Sequence, residues 1–210
     1  MIQMTLSLLM LFGVNACSPS QPPAPIDIQT KSLDGLSKAY LASGCFWCVE
    51  AIYESLIGVE EVISGYAGGT TDDPTYRKVG SGKTGHAEAV EIYYDSTKIS
   101  FETLIDVYYA SQDPTTYGQK PDFGSAYRSI IFYQNESELR IAEDAKATVA
   151  ASIDKEVVTE IKEFEVFYPA EDYHQDYEKR NPNQPYVRGV SIPRLKRFQA
   201  KMPELVRKDH

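Results

Sequence analysis

Lys38-Ala39-Tyr40-Leu41-Ala42-Ser43-Gly44-Cys45-Phe46-Trp47-Cys48-Val49-Glu50 carries the chain from a strand through a glycine turn into a helix. Residues 38–43 read as a short strand and 44–48 as the turn. Residues 49–56 read as a helix, because Val49, Ile52, Tyr53 and Leu56 fall on one face. A pair of cysteines therefore stands at a strand-to-helix junction. Working outward, a second strand is expected over 59–64, a long glycine-rich loop over 65–74, and a third strand over 89–94, ended by Asp95. Phe101, Leu104, Ile105 and Tyr108 lie at helical spacing behind Ser100, whose hydroxyl suits an N-cap. A strand over 129–133 leads to Asn135 and Glu138, a capping-box-like start to a helix through Ala151. Strands are expected over 157–161 and 164–167. A short helix over 171–180 would place His174 and Tyr177 on one face. Strands and helices are interspersed without a repeated strand–helix–strand rhythm, so the expected class is α+β.

A cysteine in the turn that opens a helix faces unpaired backbone N–H groups and the positive end of the helix dipole. Both favour the thiolate, so Cys45 reads as a nucleophile. Cys45 and Cys48 have C-x-x-C spacing, which leaves a disulfide between them accessible. Phe46 and Trp47 are large apolar residues where a turn usually carries polar ones. They either line a pocket for an apolar group such as a methyl or pack beneath the turn. Zinc held by the two cysteines with His86 and His174 is a weaker reading, because a lone C-x-x-C has no second pair. A thioredoxin-like domain fits poorly with two aromatics between the cysteines.

The chain has 210 residues, with 21 basic side chains against 30 acidic ones and a net charge of −9. That balance, without a lysine or arginine cluster, opposes nucleic acid or an anionic membrane surface as the main partner. Three cysteines and three histidines are too few for a disulfide framework or an easily closed zinc site. Residues 1–16 contain no charge, and their apolar run from Leu6 to Val14 is shorter than the ~20 residues that span a bilayer. Ala16-Cys17, followed by the proline-rich Ser18-Pro19-Ser20-Gln21-Pro22-Pro23-Ala24-Pro25, resembles a bacterial lipoprotein signal in which the cysteine is lipidated. The expected organisation is a signal peptide over 1–16, a linker over 17–36 and one catalytic domain over 37–210, ending in a basic, partly helical tail. The expected location is the bacterial cell envelope, anchored through a lipid on Cys17 and facing the periplasm. Release into the periplasm as a soluble protein is the alternative.

Gly44-Cys45-Phe46-Trp47, Gly65-Tyr66-Ala67-Gly68-Gly69, Gly85-His86-Ala87-Glu88-Ala89-Val90, Tyr127-Arg128-Ser129 and Phe167-Tyr168-Pro169-Ala170-Glu171-Asp172-Tyr173-His174-Gln175 occur in one order. In that order they resemble the peptide methionine sulfoxide reductase A family over about residues 38–190. The resemblance implies an α+β fold, a two-layer sandwich around a mixed sheet with a ferredoxin-like core. It implies that Cys45 is the nucleophile and that Phe46 and Trp47 cradle the substrate methyl. Glu88 would protonate the sulfoxide oxygen, with Tyr76 and Tyr127 holding it, and Asp122, His174 and Tyr177 would support the site. The implied activity is reduction of the S epimer of methionine sulfoxide in proteins, peptides and the free amino acid, without metal or organic cofactor. A sulfoxide sulfur is a poor electrophile until its oxygen gains a proton, so a thiolate beside a protonated carboxyl suits the reaction.

The chain departs from the family in carrying Cys48 directly after Trp47, where many members have glycine. Val187 stands where relatives often place a recycling cysteine, and no cysteine follows Cys48. The expectation is therefore that Cys48 resolves a sulfenic acid on Cys45, giving a disulfide that thioredoxin or a similar dithiol reduces. Residues 112–122 look shorter than their usual counterpart. The expected partners are oxidised proteins and this reductant, and the expected state is a monomer. Rival readings are a thiol–disulfide oxidoreductase acting through the C-x-x-C pair and a lipoprotein that only binds methionine-rich partners.

Overall fold

Alternation along β1 (Ser37–Ser43) buries both faces of a central strand: Ala39 and Leu41 face one cluster of buried side chains, Tyr40 and Ala42 another. The structure is a computed structural model that describes residues 32–208. The expectations for the signal peptide and for Cys17 lie outside the described residues, as does most of the expected linker.

After β1 come α1 (Phe46–Glu54), β2 (Val59–Ala67), α2 (Tyr76–Gly80), β3 (Ala87–Tyr94) and α3 (Phe101–Ala110). A small hairpin of β4 (Gly118–Gln119) and β5 (Asp122–Phe123) leads to β6 (Ser129–Tyr133) and α4 (Glu136–Ser152). The chain ends through β7 (Glu160–Glu163), β8 (Phe167–Pro169), α5 (Tyr177–Arg180) and α6 (Ile192–Lys201). The large sheet has the order β7-β6-β1-β3-β2-β8, antiparallel throughout except for the parallel pair β6 and β7. Within it β3 lies between β1 and β2, and β1 between β3 and β6, with α1 and α3 as the crossovers. Those two interleaved crossovers are the ferredoxin-like core of an α+β fold.

One sheet face, with Leu41, Tyr66, Val90, Ile92 and Ile131, packs on Ile52, Tyr53 and Leu56 of α1 and on Leu104, Ile105 and Tyr108 of α3. The other face, with Tyr40, Ala67, Ala89, Ile130 and Phe132, is covered by Phe164 and Phe167; the Tyr40 and Phe164 rings stack at 3.6 Å. The tail past Pro193 forms α6, which buries Leu195 and Phe198 in the larger cluster.

Helix caps follow local chemistry. Ser100 accepts the Thr103 N–H at 3.0 Å, and Asn135 accepts those of Ser137 and Glu138 at 3.1 and 3.0 Å. Elsewhere tertiary contacts shift the elements. Strand β2 runs on to Ala67 instead of stopping at Ser64, because Tyr66 and Ala67 pair with β3 on one side and β8 on the other. Gly65 makes this possible: a Cβ there would lie 2.3 Å from the Phe167 ring and 2.4 Å from the Tyr168 carbonyl oxygen. The expected strands over 157–161 and 164–167 sit later, as β7 and β8. The expected helix over 171–180 is broken into a 3-10 turn, Asp172–His174, and the single turn of α5. Gln175 between them behaves as a strand substitute: its side chain accepts the Ser64 N–H at 2.9 Å and donates to the Ser64 carbonyl at 3.0 Å. Asp176 then turns the chain at φ 50°, its N–H donating to Glu50 at 2.9 Å.

Candidate active site

Gly44, at φ 81°, ends β1 in a single residue, and a Cβ on it would meet the Gln119 side chain at 2.9 Å. Helix α1 then begins at Phe46, earlier than the expected start at Val49. Cys45 is its N-cap residue, and the Cys45 carbonyl accepts the N–H groups of Cys48 and Val49 at 3.1 and 3.3 Å. Phe46, Trp47 and Cys48 are thus the first turn of the helix and not the turn before it. The Phe46 N–H, one of the donors left over at a helix start, donates to the Glu88 carboxyl at 3.0 Å.

Glu88 projects from β3 and is 3% exposed. Burial pushes its carboxyl up to about 8; the Phe46 N–H opposes this, and the charges of Asp122 and Cys48 add to it. At neutral pH Glu88 is therefore mostly a carboxylic acid with a proton to give. Half-buried Tyr76, the first residue of α2, is pushed up to about 12 by burial and by the charges of Glu88 and Cys45. Tyr127, at the end of the 3-10 turn Ser125–Tyr127, is raised by burial, Glu88, Tyr76, Asp122 and Cys45. Both phenols lie close enough to the carboxyl and the thiol to feel their charge, and each has a proton to donate.

Aromatic rings build the wall beside these donors. The fully buried Phe46 ring lies 5.0 Å from His174, 5.9 Å from Tyr66 and 6.2 Å from Tyr76. Trp47 is only half-buried and is held in two ways. It stacks on Tyr177 at 3.7 Å and 7°, and its Nε1–H donates to His174 Nδ1 at 3.1 Å. Nδ1 being the acceptor, the His174 proton sits on Nε2, which has no hydrogen-bond partner among the described residues and lies 4.0 Å from Glu171. Burial pushes His174 down to about 4, so the ring is neutral. His174 and Tyr177 reach Trp47 from either side of the Asp176 turn, not from one helix face. Glu171, to which sequence reasoning gave no role, accepts the Tyr66 hydroxyl at 2.8 Å and the Tyr76 N–H at 3.1 Å. His86 stands apart from the site: its ring accepts the Gly69 N–H at 3.1 Å and reaches the Thr71 carbonyl at 2.8 Å.

The cysteines are both reduced and both buried, Cys45 at 7% and Cys48 at 2% exposure. Sequence reasoning expects a thiolate on Cys45; in the folded site that sulfur shares a hydrogen bond with Cys48, so the two thiols titrate as a pair. Burial and the neighbouring Cys48 raise the Cys45 thiol well above its ordinary value. The Cys45 hydrogen bond and the Arg194 charge lower Cys48 against its own burial. The hairpin of β4 and β5 brings in Asp122, which accepts a hydrogen bond from the Tyr186 hydroxyl. That hydroxyl lies 3.8 Å from the Cys48 sulfur.

Tyr186, Ser191 and Arg194 escape sequence reasoning because they sit in a basic tail with no motif. The structure brings Cys45, Cys48, Phe46, Trp47, Tyr76, Glu88, Asp122, Tyr127, His174 and Tyr177 into one neighbourhood. Chemically it offers a sulfur nucleophile, a carboxylic acid proton, two phenol donors and an aromatic wall. Such a site suits a small apolar group that bears a polar oxygen.

A family model described as peptide methionine sulfoxide reductase matches residues 37–205. Among curated relatives, the "Peptide methionine sulfoxide reductase MsrA" of Natronomonas pharaonis is 46% identical over 171 residues, covering 80% of this chain and 96% of the relative. The protein of the same name from Saccharolobus solfataricus is 46% identical over 170 residues, with 80% and 96% covered. Among solved structures, methionine sulfoxide reductase A of Corynebacterium diphtheriae superposes with a TM-score of 0.65 at 34% identity, covering 71% of this chain and 76% of that one.

Proposed function

The chain belongs to the peptide methionine sulfoxide reductase family, and from that premise we propose how its residues reduce methionine sulfoxide and where in the cell they do so. The observation that carries the mechanism is the Glu88 carboxyl, neutral by burial and fixed at 3.0 Å on the first N–H of the helix that Cys45 caps. The sulfoxide oxygen accepts the Glu88 proton and hydrogen bonds from Tyr76 and Tyr127, while its methyl lies against Phe46 and Trp47. The Cys45 sulfur attacks the activated sulfoxide, passing its proton to Cys48. The sulfur–oxygen bond breaks, methionine leaves, and Cys45 becomes a sulfenic acid. The methionine sulfur is reduced by two electrons and the Cys45 sulfur oxidised by two.

Cys48 then attacks the sulfenic sulfur. Its proton joins the departing hydroxide as water, and a Cys45–Cys48 disulfide closes. An external dithiol, thioredoxin or a protein like it, reduces that disulfide. Its two protons restore the Cys45 thiol and the Glu88 acid, which leaves Cys48 as the thiolate it began as. The S epimer is the substrate of this site, the reductase works as a monomer, and no metal or organic cofactor enters any step. Methionine sulfoxide peptides of each epimer, incubated with the full chain and dithiothreitol, test the reading. The S epimer alone should be reduced, and Cys45→Ser should abolish the reaction. Equal reduction of both epimers, or activity without Cys45, would refute it.

The protein repairs other proteins at the bacterial envelope, anchored by a lipid on Cys17. Support comes from the uncharged apolar stretch over 1–16 and the proline-rich segment behind Cys17. Metabolic labelling with palmitate should mark the wild-type chain and not Cys17→Ser; unlabelled wild-type protein would leave secretion as the reading.

A further inference from the structure

Among the described residues, Arg194 of α6 is the only buried lysine or arginine, at 6% exposure. Its guanidinium donates to three neutral oxygens: the Ser111 carbonyl at 3.0 Å, the Ser43 carbonyl at 3.0 Å and the Ser43 hydroxyl at 3.1 Å. Among the described residues, no carboxylate forms an ion pair with it. An arginine cannot shed its proton, so a buried one is costly unless an anion lies nearby.

Its hydrogen bonds hold the guanidinium at Ser43, two residues before Cys45, and Cys48 feels its charge. The same tail also sets the Tyr186 hydroxyl 3.8 Å from the Cys48 sulfur, and its Ser191 hydroxyl donates to Glu178. Cys45 and Glu88 face Cys48 from the other side, and Asp122 lies behind Tyr186. Arg194 brings a positive charge to these acidic groups. It is also pinned to Ser43, on the strand end that leads into Gly44 and Cys45.

We propose that Arg194 is a positioning residue that holds Cys48 ready to ionise, so that the disulfide with Cys45 closes at neutral pH. The proposal rests on the reading of Cys48 as the resolving thiol. In the step concerned, a sulfur–sulfur bond forms, the sulfenic sulfur–oxygen bond breaks, and hydroxide leaves as water with the Cys48 proton. Cys48 is oxidised as Cys45 is reduced. Without the cation, the proton is harder to remove and the sulfenic acid lasts longer.

The test reacts the full chain with one equivalent of the S-sulfoxide peptide and traps sulfenic acid with dimedone. Peptide mapping by mass then gives the ratio of trapped Cys45 to Cys45–Cys48 disulfide against time from pH 6 to pH 9. Arg194→Met should close the disulfide about tenfold more slowly than wild type at pH 7, with the gap narrowing towards pH 9, and Arg194→Lys should stay near wild type. Equal rates and equal pH profiles for Arg194→Met and wild type would overturn the role of Arg194. Loss of sulfenic acid from Cys48→Ser at the wild-type rate would instead overturn the resolving role of Cys48. Should Arg194→Met not fold, iodoacetamide alkylation of Cys48 in the Cys45→Ser chain decides the matter. Adding Arg194→Gln should move its pH midpoint up by about one unit, and an unmoved midpoint would count against the proposal.

Discussion

At the scale of single residues, the site works by opposing what each side chain would do in water. Glu88 in water is an anion; here burial keeps its proton to about pH 8. Activity needs that proton, so kcat/KM should fall as the pH rises through the Glu88 value. Glu88→Gln cannot donate a proton, and its kcat/KM should fall by about 10²–10⁴-fold. A pH profile of kcat/KM for both proteins checks this; an alkaline limb unchanged in the variant would assign the titration to another group. Cysteine shows a similar reversal. The helix start favours a thiolate and burial opposes it at both sulfurs, while the Arg194 charge favours it at Cys48 and the Glu88 charge opposes it at Cys45.

At the scale of elements, local chemistry was enough wherever a helix or strand is stabilised by its own residues. Helix α3 buries the four apolar residues expected of it and carries the expected Ser100 cap. Helix α4 has its Asn135 cap as expected, although the Glu138 carboxylate returns to the Gln134 N–H at 2.7 Å and not to Asn135 itself. Asn135→Ala should lower stability by about 1 kcal/mol in urea unfolding while kcat/KM stays near wild type, because α4 supplies no residue to the site. A loss of activity larger than the loss of folded protein would contradict that separation. The broken helix at 171–180 was not legible, because its breaks come from Ser64 and Glu50, distant in sequence. The roles of Tyr186 and Arg194 were hidden for the same reason: a basic helix reads as a solvated surface until α1 is seen beneath it. Cys45, Phe46, Trp47, Glu88 and their tyrosines were legible because they stand inside motifs whose order resembles one family.

At the scale of the whole molecule, folding holds several protons that the unfolded chain would release. Burial pushes Glu50 up to about 9, beneath the contacts that tie α1 to β2 and to the Asp176 turn. A carboxyl whose value is raised on folding contributes most below the unfolded value near 4.5, and its contribution is lost as the pH climbs to about 9. Stability of the wild type should therefore fall relative to Glu50→Gln by up to about 1.4 kcal/mol per pH unit within that window. Urea midpoints of the two proteins between pH 5 and pH 9 measure the difference; parallel curves would mean that Glu50 is ionised in the folded state.

The central claim is that one chain carries both thiols and the acid needed for one complete reduction. It is tested most directly by mixing the full chain with an excess of S-sulfoxide peptide and no external reductant, then counting methionine formed and thiols lost. The account predicts one methionine per chain, with Cys45 and Cys48 joined in a disulfide, and none from Cys45→Ser. No methionine from a folded wild-type chain, or methionine from Cys45→Ser, would contradict it.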